Sequence, residues 1–137
     1  MTRSGPEARE LALEALYQAD QRGLLPEDAV AGLPARAARL VRGVLEQRSA
    51  LDRAIDRAST GWRVERMPVV DRAVLRLALY ELRNQPSTPT AVVINEAVEL
   101  AKTYSTERSG RFVNGVLSRL ALEERPADAI SDPPETT

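Results

Sequence analysis

The fold is decided by residues 67–83, which read MPVVDRAVLRLALYELR. On a helix, the apolar side chains of this segment cover most of the circumference. Among the polar side chains, only Arg72, Arg76, Tyr80 and Arg83 form a clear strip. A helix that is apolar nearly all round is buried among other elements. We therefore predict a central helix from Met67 to Arg83, with the rest of the chain packed around it.

The segments on either side also have helical periodicity. Apolar residues recur every three or four positions, and the commonest residue types, Leu, Ala, Glu and Arg, are strong helix formers. Helix-starting prolines and Gly23 set several of the ends, and Thr88 is predicted to cap the helix that Pro89 opens. The predicted helices outside the central one span residues 6–22, 27–33, 34–59, 89–104 and 109–123. The fold class is therefore all-α.

The chain divides at Gly61-Trp62, between the long third helix and the central one. We predict one domain over residues 1–125, made of two small helical bundles at about 5–60 and 61–125. Neither bundle is large enough to be stable alone, so they should pack together. A lone Trp after a Gly is more often buried than exposed, so Trp62 is expected in the core. Residues 126–137, rich in Pro and Asp, are expected to form a disordered acidic tail.

Several classes of activity are excluded by residue types that the sequence lacks. It contains no Cys and no His, which excludes disulfides, thiol or serine–histidine catalysis and ordinary zinc sites. Glu96 and Glu99 lie one helical turn apart, but no Gly-rich loop or second acidic pair accompanies them. They are expected to be solvated or to pair with Lys102. We predict no enzyme activity, no cofactor and no metal. The sequence has no long apolar run, so we expect no membrane span and a cytoplasmic protein.

The charge is unevenly distributed along the chain. The formal net charge is −1, and leaving out the tail with its three acidic residues changes it to +2. Nearly all the basic residues are Arg, with Lys102 the single Lys, and Arg suits bidentate phosphate contacts. Genome composition or thermal adaptation would explain the same richness, so composition alone leaves nucleic-acid binding open.

Three motifs together carry a family resemblance. They are ARELALEALY at residues 8–17, VDRAVLRLALYEL at 70–82, and VINEAVELAK at 93–102 continued by RFVNGVL at 111–117. In the order, spacing and residue identities of these motifs, the chain resembles the NusB family of bacterial antitermination factors from about residue 7 to residue 122.

The resemblance implies a fold of two three-helix bundles and a function in transcription. NusB proteins pair with NusE, a small-subunit ribosomal protein, and the pair binds single-stranded boxA RNA of ribosomal RNA leader transcripts. With other Nus factors the pair helps RNA polymerase to read through terminators, and some members form homodimers. Ribosomal RNA methyltransferases carry a similar helical domain, but this chain lacks their cysteine nucleophile and any cofactor-binding α/β pattern.

Family members bind RNA through an Arg-rich N-terminal arm and the start of the last helix. Arg9 matches the arm's last arginine, whereas Gly5, Pro6 and Glu7 replace the run before it, and only Arg3 lies ahead. At the last helix, Arg108 stands where relatives often carry an acidic residue. The predicted RNA-binding residues are thus Arg3, Arg9, Arg108, Ser109, Arg111 and Phe112. Arg108 and Arg111 are alternatively only solvated, and Phe112 is alternatively a core residue.

Tyr17 and Asp71 match family positions associated with the protein partner. Asp71 has an alternative role, as a first-turn acid that stabilises the start of its helix. The sequence thus predicts an antitermination factor that binds boxA RNA together with NusE. The alternative is a NusB-like protein-interaction paralogue with weak or no RNA binding, which the shortened basic arm favours.

Overall fold

The computed structural model describes residues 4–131, with side chains from residue 7 to residue 128. This part of the chain is helical, and no strand occurs in it, so the all-α prediction is confirmed. A 3-10 turn at Val64–Arg66 precedes the central helix. The helices are α1 Ser4–Arg22, α2 Pro26–Ala29, α3 Ala35–Glu46, α4 Arg48–Ala58, α5 Val69–Asn84, α6 Thr90–Tyr104, α7 Glu107–Glu124 and α8 Pro126–Ser131.

Helix α5 lies at the centre, as its sequence predicts. It packs against α1, α3, α4, α6 and α7, and ten of its sixteen residues are buried. The approach to α3 is closest at Gly43, where any β-carbon would overlap the ring of Tyr80. The buried apolar residues form one continuous core from Ala8 to Leu120. Both sets of helices therefore share this core through α5, and their division into two bundles stays a prediction.

The long third helix is broken, which corrects the prediction of one rod over residues 34–59. Gln47 separates α3 from α4 and leaves helical geometry, with φ −105° and ψ 13°. The break falls in the polar run Glu46-Gln47-Arg48-Ser49, where no apolar side chain holds the backbone against a neighbour. The two helices on either side of the break pack against different partners. Helix α3 packs on α1 and α5, whereas α4 packs on α5 and α7.

The ends of the last helices also differ from the prediction. Pro89, and not Thr88, occupies the N-cap of α6 and offers no side-chain hydrogen bond. Helix α7 begins two residues earlier than predicted because Thr106 caps it, its Oγ1 accepting the Ser109 N–H at 2.9 Å. Residues 126–131, at the start of the tail that the sequence predicts to be disordered, form the short helix α8. The rest of the tail, 132–137, lies outside the described residues.

None of the described helices is both long and apolar enough to cross a membrane.

Candidate nucleic-acid interface

A groove of about 550 Å³ opens where the 3-10 turn, the start of α5 and the start of α7 meet. It brings together residues that lie far apart in the sequence. Its wall includes two aromatic rings, two guanidinium groups, a carboxylate and a hydroxyl, from Trp62, Phe112, Arg66, Arg108, Asp71 and Ser109. Of the predicted RNA-binding residues, three therefore line one groove.

The start of α7 is fixed by a network of hydroxyl groups. Thr106 caps the helix, and Ser109 Oγ lies 2.9 Å from Ser105 Oγ and 3.0 Å from Asp71 Oδ2, to which it donates. Ser109 is buried, so its hydroxyl positions the helix and is not exposed to solvent. Because α7 runs for 18 residues, its N-terminus carries the positive end of a helix dipole beside the groove.

Asp71 is only 4% exposed, and its role on a partner-binding surface stays a prediction. It stands in the first turn of α5, and its Oδ2 accepts the Ser109 hydroxyl. Its Oδ1 is buried and has no hydrogen-bond partner among the described residues. A buried acceptor without a partner costs free energy, so this oxygen could bind a donor supplied from outside the chain.

Two arginines at the start of α7 are exposed to solvent. Arg108 and Arg111 form no ion pair with any residue that the structure describes. Arg108 lines the groove, and Arg111 lies one helical turn further along α7. Arg66, on the 3-10 turn, is a third exposed guanidinium and was not predicted as a site residue. Three exposed guanidinium groups therefore lie at this end of the protein, where a phosphate backbone could bind.

Trp62 is 58% exposed, and its prediction as a core residue is wrong. Gly61, at φ +85°, turns the chain after α4. Two hydrogen bonds then hold the Trp62 backbone. Its N–H donates to Ser59 O at 3.1 Å, and its carbonyl oxygen accepts from Ser59 Oγ at 2.6 Å. The backbone is thus anchored while the indole reaches the groove. Phe112 is partly buried against the core and also lines the groove, so both of its predicted roles stay open.

Arg9, the remnant of the basic arm, is paired inside the protein. Arg9 is 7% exposed, and its Nε and Nη2 donate to the carboxylate of Glu81 on α5 at 2.8–3.1 Å. A guanidinium paired in this way holds α1 on α5, and RNA binding by Arg9 stays a prediction. Arg3 lies outside the described residues.

A separate surface carries acidic and aromatic side chains. Tyr17 is 39% exposed on α1, the helix that also presents Glu10 and Glu14. Tyr104, at the end of α6, lies close to those two acids. Partial burial raises the pKa of the Tyr104 hydroxyl, and the carboxylates of Glu10 and Glu14 raise it further. This surface has the charge that a basic protein would complement.

Among the described side chains, no group of three or more His, Cys, Asp or Glu residues could hold a metal ion. Glu99 pairs with Lys102 at 3.5 Å, as its spacing predicted. What the site offers is recognition of an anion and of aromatic rings.

The fold and these motifs agree with comparisons against known proteins. The NusB family model matches residues 6–122. The chain belongs to the NusB family. A transcription antitermination protein NusB from Symbiobacterium thermophilum is 48% identical over 128 residues, an alignment that covers 80% of this chain and 84% of that protein.

Solved structures support the same assignment. A NusB from T. maritima superposes with a TM-score of 0.85 at 37% identity, covering 95% of this chain and 99% of that one. A structure described as antitermination factors NusB and NusE in complex with double-stranded RNA gives a TM-score of 0.75 at 30% identity. That match covers 88% of this chain and 97% of the other.

The sequence predicts candidate site residues at the start of α7 but does not predict Trp62 and Arg66 as members of the site. One feature of the sequence does indicate that Trp62 is exposed, because it stands in the polar stretch Ser59-Thr60-Gly61-Trp62-Arg63 and not in an apolar run.

Proposed function

We propose that this protein is a transcription antitermination factor that binds boxA-type single-stranded RNA together with NusE. In this role it acts with other Nus factors and helps RNA polymerase to read through terminators in the cytoplasm. It works by binding, without catalysis or a cofactor, and residues 1–125 form the functional domain. Membership of the NusB family is the observation that carries the proposal, and the NusB–NusE–RNA structure supports the choice of partners.

The RNA surface proposed here is the start of α7. Arg108 and Arg111 are exposed there, beside a helix N-terminus that favours anions. Arg3 remains a candidate contact in the N-terminal arm. For NusE we propose the acidic surface of α1 around Tyr17, since an exposed aromatic ring flanked by Glu10 and Glu14 suits a basic partner.

A second candidate function has a specific observation in its favour. Arg9 is paired with Glu81, and Glu7 stands at a position where the family resemblance implies part of a basic run. The chain would then be a protein-interaction paralogue with weak or no RNA binding. A homodimer is a further arrangement that the family allows.

Titration of labelled boxA-type RNA distinguishes the two functions. The RNA is mixed with the chain, with NusE, and with an equimolar mixture, and retardation is measured at one fixed salt concentration. We expect the mixture to bind more tightly than either protein, because the weak basic arm leaves phosphate contacts for NusE to supply. Equal affinity for chain and mixture would contradict cooperation with NusE. Absence of RNA binding in all three samples, with a one-to-one complex still formed, would favour the paralogue.

A further inference from the structure

We infer that the groove between the 3-10 turn and α7 binds one unpaired RNA nucleotide. In this arrangement Trp62 stacks on the base, Arg66 and Arg108 contact its phosphates, and the free oxygen of Asp71 accepts an N–H from the exocyclic amino group of the base. The inference rests on the proposed RNA-binding function and adds to it a defined nucleotide pocket.

The aromatic rings give the first argument. An indole that is 58% exposed, on a backbone anchored to Ser59, is a rigid apolar surface open to solvent. Phe112 adds a second ring to the same groove. Proteins that bind single-stranded nucleic acid use such rings as stacking platforms, because every base has a π-face.

The charges give the second argument. Arg66 and Arg108 line the groove, both are exposed, and neither forms an ion pair with another described residue. The one acidic residue in the first turn of α7, Glu107, is exposed and does not line the groove. A nucleotide combines an anionic phosphate with a flat apolar ring, so it complements both features of this surface.

Asp71 gives the third argument, which concerns base identity. It lines the groove, it is 4% exposed, and its Oδ1 lacks a hydrogen-bond partner among the described residues. A carboxylate accepts hydrogen bonds and donates none. Adenine, cytosine and guanine carry an exocyclic amino donor, whereas the only N–H of uracil is at ring N3, between two carbonyl oxygens that repel a carboxylate. The pocket should therefore prefer an amino-bearing base over uracil.

The sequence contains a single tryptophan, so its emission reports directly on the groove. The protein, alone and mixed with NusE, is titrated with a fluorescein-labelled boxA-type RNA, and RNA anisotropy and tryptophan emission are recorded in separate titrations. We expect emission to fall in step with the rise in anisotropy.

Substitution at the ring tests its contribution to affinity. Trp62→Ala should weaken RNA binding by about five- to hundredfold, the range for loss of one base stack, and Trp62→Phe should lose less. The matched control is Leu122→Ala, which removes a 59% exposed apolar side chain in the last turn of α7. The control should bind RNA as the unchanged protein does.

Asp71→Asn tests base selection with an isosteric change. The amide oxygen can still accept the Ser109 hydroxyl, and the NH₂ group then replaces the free acceptor with a donor. We expect the unchanged protein to bind oligo(A) and oligo(C) more tightly than oligo(U), and Asp71→Asn to shift this preference toward oligo(U). Thermal unfolding of each variant checks that the fold is retained, and the Trp62 titrations do not depend on this variant.

The outcomes separate this inference from the proposed function. If RNA binds but neither tryptophan emission nor the Trp62→Ala affinity changes, the nucleotide pocket is wrong and RNA binding stands. If emission responds to NusE alone and not to RNA, the groove is a protein site and the inference is overturned. If neither the chain nor its mixture with NusE binds RNA, both fail.

Discussion

Among single residues, burial separates the arginines that can reach a ligand from those that hold the fold. Arg9 and Arg108 both match RNA-binding regions of the family, yet Arg9 is paired inside the protein and Arg108 is exposed beside the groove. Charge patterns along a sequence do not reveal this difference, because they do not show whether a guanidinium pairs with a carboxylate of the same protein or is free to bind a phosphate.

Arg108→Asp should weaken RNA binding by about 1–3 kcal/mol, the range for a hydrogen bond to a charged group. The substitution removes a phosphate donor and places a negative charge at a helix N-terminus that otherwise favours anions. It should also reduce the salt dependence of binding by about one phosphate contact. Fluorescence anisotropy at several salt concentrations measures both effects.

Arg57→Asp on α4 is the matched control, since Arg57 is also exposed and lies outside the groove. Equal weakening by both substitutions would mean that only bulk charge matters and that the start of α7 is not a specific site.

The site could be predicted from sequence only in part, and Trp62 and Asp71 show why. Composition and periodicity assign an aromatic to the core by frequency, but the exposure of Trp62 depends on the turn at Gly61 and the hydrogen bonds to Ser59. The resemblance assigned Asp71 to a partner-binding surface, but its burial involves a contact with Ser109, 38 residues away. Contacts between distant segments therefore decide both cases.

At the level of helices, the sequence predicts interiors well and ends less well. The apolar stripe of α5 fixes its position, whereas the break at Gln47 depends on α3 and α4 packing against different neighbours.

The end of α5 is held by a residue from beyond α7. Arg125 donates to the carbonyl oxygens of Thr88, Gln85 and Leu82 at 2.6, 3.0 and 3.1 Å. These include carbonyls that a helix end leaves without a partner.

Arg125→Ala should lower the free energy of unfolding by at least about 2 kcal/mol, because several backbone acceptors lose a charged donor at once. Urea denaturation followed by circular dichroism measures the change. Arg63→Ala is the comparison, since its ion pair with Glu65 is exposed on both sides and should contribute less than about 1 kcal/mol. A loss at Arg125 no larger than that at Arg63 would show that the α5 end needs no cap.

For the whole molecule, α5 is the element through which the other helices share one core. The buried pair between Arg9 and Glu81 fastens the start of the chain to this helix. Arg9→Met should destabilise the protein by about 3–5 kcal/mol, because Glu81 is left buried without a partner. Chemical denaturation gives the value.

The double variant Arg9→Met with Glu81→Met should recover most of that loss, since it removes both buried charges. RNA affinity per folded molecule should stay unchanged if Arg9 has only a structural role. A double variant as unstable as the single one would show that the pair does not act as a unit.

We expect the tail to contribute less to stability than these contacts. Truncation after residue 125 keeps the Arg125 cap and removes α8, in which Asp128 accepts a hydrogen bond from Thr90 Oγ1 at an exposed site. We expect the melting temperature to change by only a few degrees, the equivalent of about 1 kcal/mol or less. A fall of many degrees in a thermal scan would show that α8 docks on the core.

The large sequence separation of the Arg9–Glu81 pair also affects how the protein folds during its synthesis. Its two residues are 72 positions apart, so a growing chain exposes Arg9 to solvent long before Glu81 has been added. Until α5 leaves the ribosome, the apolar faces of α1 and α3 lack the helix against which they bury. The early chain should therefore stay open to chaperones during synthesis, and compaction should follow the emergence of α5.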